Sequence, residues 1–341
     1  MSGLERDNNS KRFIAVDGGG TKTACVIGDG CGHILAACSG ESSNIKSRPW
    51  DEVKLELSTL IERVMELSHS DSSQLDGIFL GMAGADRPED REQFVSFLEE
   101  RFAGKVPITI HNDAVTALSA GTWGEAGIVL ISGTGSIAYG YLPETDTYVR
   151  AGGWGYLLGD EGSGFDIGKK ALTAVMKQHD GRGAQTELTE LILSHWSLRD
   201  PNQIITYVYG QPNVRTAMAE LAKLVVTAAK SGDSMALTIM EEAIEELAEL
   251  ALTVNRRLAD IQPGTETKQL PLVLSGGVFS DDWFMNLLGQ QTGIRTSGLR
   301  LSRLRIPPVA GCYILALKQA GITITELVKK RIGAWETGRK V

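Results

Sequence analysis

The chain has 341 residues, 42% of them hydrophobic, and a formal net charge of −8 at pH 7. This length favours two domains, and the acidic balance argues against a general nucleic-acid surface. With no apolar run of about 18 residues and a polar start, MSGLERDNNSKR, neither a membrane span nor a secretory signal is expected, so the protein is expected in the cytoplasm with no membrane partner.

In chain order, three apolar runs read as strands: Arg12–Val16, Thr23–Ile27 and His33–Ala37. Glycine-rich turns, Asp17–Lys22 and Gly28–Gly32, separate them. A helix near Glu52–Leu67 follows, then the strand Gly77–Gly81, a helix near Glu89–Phe102, the strand Val106–Ile110 and a helix after Asp113. The plan then restarts: Gly127–Ile131, the turn SGTGS (132–136), Ile137–Leu142, a second turn and Tyr148–Ala151. Two halves therefore share an architecture without sharing residues. After Gly162 the chain turns mostly helical. Met240, Ile244, Leu247, Ala251, Val254 and Leu258 form the apolar stripe of one long helix, with a glutamate-rich run beside it. LPLVLSGGVF supplies another strand and Gly-Gly turn, and PPVAGCYILALKQAG a helix stopped by Gly321. The expected domains are 11–122 and 123–309, packed closely around a cleft, with a C-terminal helix near 310–335 returning to the first.

DGGGTKT (17–23) can form a nest of backbone N–H groups for an anion, because glycine allows close approach and positive φ. It is neither a Walker A loop nor a dinucleotide fingerprint, since it leads into a strand and lacks the spacing. Taken singly it is also a plain hairpin turn. SGTGS holds the same place in the second half, and the pair suits a nucleotide better than either loop alone. SGGVF (275–279) is equally a tight strand–helix turn or a loop close to a nucleoside. The densest cluster is GGWGYLLGDEGSGFDIG (152–168), where Trp154 and Asp160 suit a sugar; the competing reading is a core anchor with Ser163 as a helix cap. SSNIKS can present Asn44 to a ligand or simply turn. In HNDAVTALSAG, Asn112 or Asp113 is placed to cap a helix, and Asp113 also stands where α/β proteins put reactive groups. Histidine and cysteine spacing suggests no zinc site. Cys25, Cys31, Cys38 and Cys312 suit reduced thiols.

DGGGTKT, SSN, HND, SGTGS, GGWGYLLGDEGSG and LSGGV, in this order over about residues 13–320, resemble the N-acetylglucosamine kinases of the BadF/BadG/BcrA/BcrD ATPase family, within the sugar kinase, Hsp70 and actin superfamily. The resemblance implies an α/β fold of two ribonuclease-H-like (actin-like ATPase) domains around an ATP and sugar cleft. By it, Gly19, Gly20, Thr21 and Lys22 contact phosphates with Thr134, Gly135, Gly276 and Gly277 also on the nucleotide. Asp17 holds Mg²⁺ through water. Asn44, Asp113, Gly153, Trp154, Gly155 and Asp160 surround the sugar, and Asp113 is the general base for phosphorylation of the 6-hydroxyl of an N-acetylhexosamine. A homodimer is expected. Glucosamine or N-acetylmuramic acid kinases share the scaffold, and an ATPase activator or a non-catalytic sugar sensor is a different outcome. The related dehydratase activators carry cysteines for an iron–sulfur cluster; here alternate strands are expected to scatter Cys25, Cys31 and Cys38.

Overall fold

A computed structural model of the chain describes residues 8–85, 87–261 and 269–337. It divides into two compact units, Met1–Ala126 with Leu304–Val341, and Gly127–Arg303. In the first unit, β1 (Arg12–Gly18), β2 (Lys22–Asp29) and β3 (Ile34–Glu41) form an antiparallel meander. β4 (Leu75–Met82) and β5 (Ile108–His111) add parallel to β1, in the order β3-β2-β1-β4-β5. α1 (Trp50–Leu67) connects β3 to β4, and α2 (Pro88–Phe102) connects β4 to β5. Val53, Leu57, Ile61 and Val64 recur at helical spacing along α1 and share a core with Ile14, Val16 and Ile27 of the sheet and Phe94 and Leu98 of α2.

The strand expected from Val106 begins only at Ile108. Pro107 has no N–H to give a ladder, although its carbonyl accepts from Ile78 N at 2.9 Å. One expectation is corrected. Cys25 and Cys38 are not scattered: the antiparallel register sets them directly opposite each other on β2 and β3, where period-2 alternation gives paired residues the same face. Cys25 is buried in the core and Cys38 packs against it.

After α3 (Asp113–Thr122), the second unit repeats the sheet. β6 (Gly127–Ser132), β7 (Ser136–Leu142) and β8 (Thr147–Gly152) are antiparallel. The helices α4 (Gly164–His179), α5 (Leu188–His195), α6 (Gln203–Tyr209), α7 (Val214–Glu220), α8 (Ala222–Lys230) and α9 (Ser234–Ile261) follow. β9 (Pro271–Ser275) then joins parallel to β6. α10 (Asp282–Gln290) and α11 (Thr292–Thr296) lead to β10 (Arg300–Arg303), which pairs with β9 in the order β10-β9-β6-β7-β8. The apolar stripe of α9 is buried and packs on β6, β7 and β8. No described helix is long and apolar enough to cross a membrane.

The chain returns to the first unit with α12 (Pro308–Gln319) and α13 (Glu326–Thr337). α12 lies on β1, β4 and α3. Cys312 Sγ donates to the Val16 carbonyl at 3.0 Å, and the Tyr313 hydroxyl donates to the Asp29 carbonyl. Gly311 lets α12 cross close to α3, since a Cβ there would overlap the Thr116 carbonyl oxygen. Gly311→Ala must push the helices apart. The expected cost is about 1–3 kcal/mol, the usual range for overpacking, read as a lower urea midpoint at unchanged slope.

Candidate active site

The first unit's candidate residues gather at the carboxyl ends of three parallel strands, where open α/β sheets place ligands. Asp17 of β1 pairs in register with Gly81 of β4, and Gly81 pairs with His111 of β5. Two residues on, Asp113 opens α3. The cap is Asn112, whose side-chain oxygen accepts from the Ala114 N–H at 2.8 Å. Asp113 stands at the first helical position instead, where the helix dipole favours a negative charge.

Thr116, one turn along α3, links the two acids. Its hydroxyl donates to the Asp113 carbonyl at 2.7 Å and lies 3.2 Å from Asp17 Oδ1. Gly81 makes room for it, since a Cβ there would strike the Thr116 side chain. Burial and, next, the Asp113 charge push the Asp17 carboxyl up to about 7, against the lowering effects of Thr116 and Lys22. A half-buried carboxylate that feels the charge of a second one offers oxygen to a cation, which would favour its ionised form.

The turn Gly19–Thr21 is closed by the Gly19 N–H donating to the Lys22 carbonyl at 3.0 Å, and Thr21 and Lys22 are exposed. Ser42 Oγ donates to the Gly19 carbonyl at 3.0 Å, tying the segment after β3 to this turn. Asn44 follows it. Its side-chain oxygen accepts from the Lys46 N–H at 2.9 Å, a local turn, while its amide nitrogen comes within 3.9 Å of where a Gly20 Cβ would stand. Asp17, Gly19, Gly20 and Asn44 thus share one end of the first sheet.

In the second unit the β6–β7 turn is closed by the Gly133 N–H donating to the Gly135 carbonyl at 2.9 Å. The register of β6 with β9 brings Ser275 beside Ile131. Gly276 then passes the Ser132 carbonyl so closely, at φ +100°, that a Cβ would overlap it. SGTGS and SGGVF are therefore one surface, carrying Thr134, Gly135, Gly276 and Gly277. Among the described residues, nothing lies within 4 Å of a Cβ built at Gly133 or Gly277. Backbone left open at two glycines can be approached closely by a phosphate or nucleoside.

The GGWG…GDEGSG segment packs on this same surface. Ser132 Oγ donates to the Gly162 carbonyl at 2.8 Å, Ser136 Oγ to the Glu161 carbonyl at 2.7 Å, and the Gly164 N–H to the Gly133 carbonyl at 2.7 Å. Asp160 is 4% exposed and accepts from the Ser136 N–H at 3.2 Å. Ser163 caps α4, as one of the sequence alternatives had it. Trp154 is no core anchor: it is 62% exposed, with the Arg150 guanidinium 4.4 Å from its ring centroid. Gly152, Gly153 and Gly155 around it all have positive φ, which a side chain would strain.

Sequence reasoning missed Thr116, Gly81 and Arg215. Thr116 carried a signal, three residues from Asp113 and so on one helix face. Arg215 pairs with Asp160 at 3.2 Å across 55 residues of chain and carried none.

The model of the BadF/BadG/BcrA/BcrD ATPase family matches residues 14–311, and the protein belongs to that family. The N-acetylmuramic acid/N-acetylglucosamine kinase of Clostridium acetobutylicum is 35% identical over 272 residues, 80% of this chain and 86% of that one. The N-acetyl-D-glucosamine kinase of Dictyostelium discoideum is 35% identical over 316 residues, 89% of this chain and 97% of that one. Among solved structures, a candidate N-acetylglucosamine kinase from Chromobacterium violaceum is similar with a TM-score of 0.65 at 26% identity, covering 90% of this chain and 99% of that one. The fold is α/β, with the two-sheet plan of the actin-like ATPases and sugar kinases.

The cap assignment separates two neighbouring side chains. Asn112→Ala is expected to cost about 1 kcal/mol of stability, the usual worth of such a cap. Asp113→Asn should cost less, because it also removes repulsion on Asp17. Paired urea melts of the two variants check the order.

Proposed function

We propose that the protein transfers the γ-phosphoryl group of ATP to the 6-hydroxyl of N-acetylglucosamine or a close N-acetylhexosamine. The observation that carries this reading is the pair of acids at the strand ends, Asp17 and Asp113, with the Thr116 hydroxyl between the Asp17 carboxylate and the Asp113 backbone carbonyl. Family membership and the names of both 35%-identical relatives support it.

In this reading Asp113 accepts the proton of the 6-hydroxyl as the oxygen attacks phosphorus. Its position at the start of α3 keeps it oriented, and the helix dipole favours its charged form. Thr116 fixes the turn that carries it. Asp17 is the ligand for Mg²⁺, directly or through water. An oxygen donor whose proton affinity is raised by burial and, next, by a second carboxylate fits a hard cation, which would offset both costs. Among the described residues no group of three or more His, Cys, Asp or Glu gathers, which suits an ion held mainly by water and phosphate oxygens. When bound, that ion would spread the charge on the transferring group. Gly19, Gly20, Thr21 and Lys22 offer donors to phosphates, as do Thr134 and Gly135, with Gly276 and Gly277 against the nucleoside. Asn44, Gly153, Gly155 and Asp160 bind the sugar by hydrogen bonds, and Trp154 covers its C–H surface.

A second substrate, N-acetylmuramic acid, is favoured by the name of the Clostridium relative. Its ether at C3 leaves the 6-hydroxyl free, so the same chemistry serves both sugars.

ADP release measured across glucose, glucosamine, N-acetylglucosamine, N-acetylmannosamine and N-acetylmuramic acid tests the proposal. Turnover is expected with the N-acetylated sugars; release that ignores the sugar would refute it. Asp113→Asn should lower kcat about 10²–10⁴-fold with the fold intact. Near-normal turnover in the folded variant would return Asp113 to a structural role.

The cation assignment has a readout apart from activity. Asp17 titrates near 7 when folded against an ordinary value of 3.8, so the folded protein holds an extra proton between those values. Stability of the cation-free protein should therefore fall as pH rises from about 4 to about 7. Mg²⁺ favours the ionised form, so it should raise the melting temperature more at about pH 8 than at about pH 5.5. An equal rise at both would exclude Asp17 as the ligand.

A further inference from the structure

Asp160 is tightly built into the second unit. Its backbone is left-handed, at φ +67°, a conformation that aspartate tolerates better than most residues. One carboxylate oxygen, Oδ1, accepts from the Ser136 N–H at 3.2 Å, and a Cβ on Gly135 would lie 2.9 Å from the same oxygen. The other, Oδ2, is 3.2 Å from Arg215 Nη2. Burial raises the proton affinity of Asp160, the Ser136 N–H and Arg215 oppose that rise, and the neighbouring Glu161 charge adds to it.

Arg215 comes from α7. Its guanidinium lies over Tyr156, 4.8 Å from the ring centroid, and Tyr156 in turn meets Phe165 edge-on. The buried Arg215 Nε has no hydrogen-bond partner among the described residues. The guanidinium is thus oriented by one aromatic face and one carboxylate rather than by a saturated network, a geometry suited to arginine's planar head.

We propose that Arg215 is a positioning residue for the sugar-binding carboxylate, holding Asp160 against the SGTGS loop from α7. This rests on the proposed sugar-kinase reading, in which Asp160 accepts from sugar hydroxyls. An ionised carboxylate has about four acceptor sites. Ser136 and Arg215 occupy one each, so capacity remains for a sugar. A protonated Asp160 loses an acceptor and the attraction to Arg215 together. The same bonds fix the Ser136 N–H, so the pair sets the Asp160 carboxylate and the SGTGS loop in one geometry.

The test uses Arg215→Gln, Arg215→Lys and Asp160→Asn in the full chain. With Mg-ATP and N-acetylglucosamine, Arg215→Gln should raise the sugar KM about tenfold and move the acid limb of kcat/KM up by about one pH unit, with ATP KM changed less than about threefold. Arg215→Lys, which keeps the charge, should leave the acid limb near that of the wild type. A sugar-free readout separates this inference from the activity reading. Losing Arg215 raises the folded Asp160 pKa further, so the variant should lose stability relative to wild type as pH rises through and beyond the wild type's already raised value. That pH-dependent loss should vanish when Asp160→Asn is combined with it. A melting temperature difference that is flat with pH, or one that persists in the double variant, would overturn the proposal whether or not the sugar is phosphorylated. Failure of the wild type to turn over any sugar would instead overturn the kinase reading.

Discussion

The strand ends of the first unit depend on a pair of acids, Asp17 and Asp113, of which Asp17 is held from ionising first by burial and then by its neighbour's charge. Asp17 ends β1, Asp113 opens α3, and Thr116 stands against both. Such a pair costs free energy in an apo protein, so the fold has to enforce it. It does so through close packing. Gly81 has no side chain where Thr116 enters, Gly311 lets α12 approach the backbone of the same threonine, and Cys312 donates to the carbonyl beside Asp17. In the proposed reading a divalent cation would offset the cost of ionising Asp17.

The second unit repeats the sheet but uses its strand ends differently. It carries two glycine turns brought side by side by the β6–β9 register, with the GDEGSG segment and its Asp160 bonded to them. Ser132, Ser136 and Asp160 are buried polar groups, and each finds a partner in this seam. One unit thus sets two acids at its strand ends and the other sets glycine-turn backbone beside a single buried carboxylate, which suits the charge compensation and placement that phosphoryl transfer needs.

Much of this was legible in the sequence because it is local. Alternation of apolar residues marked the strands, glycine clusters marked the turns, and the stripe from Met240 to Leu258 marked α9. What the sequence concealed is register and reach. The pairing of Cys25 with Cys38 depends on how β2 and β3 align, and a one-residue slip would part them. The choice between Asn112 and Asp113 as cap depends on where the first helical turn begins, which composition leaves open. Arg215 meets Asp160 only because α7 folds back over a loop far behind it in the chain. For Trp154 the sequence favours a ligand platform over a core anchor, and its exposure removes the second reading.

The central claim is that a fixed carboxylate at Asp113 directs one hydroxyl of an N-acetylhexosamine at the γ-phosphoryl group. The position of the new ester bond tests it most directly. Proton–phosphorus correlation NMR on the product from N-acetylglucosamine and Mg-ATP should show coupling of the phosphorus to the two protons on C6, with one ADP formed per sugar phosphate. Coupling to the anomeric proton, or release of inorganic phosphate with the sugar unchanged, would contradict the account.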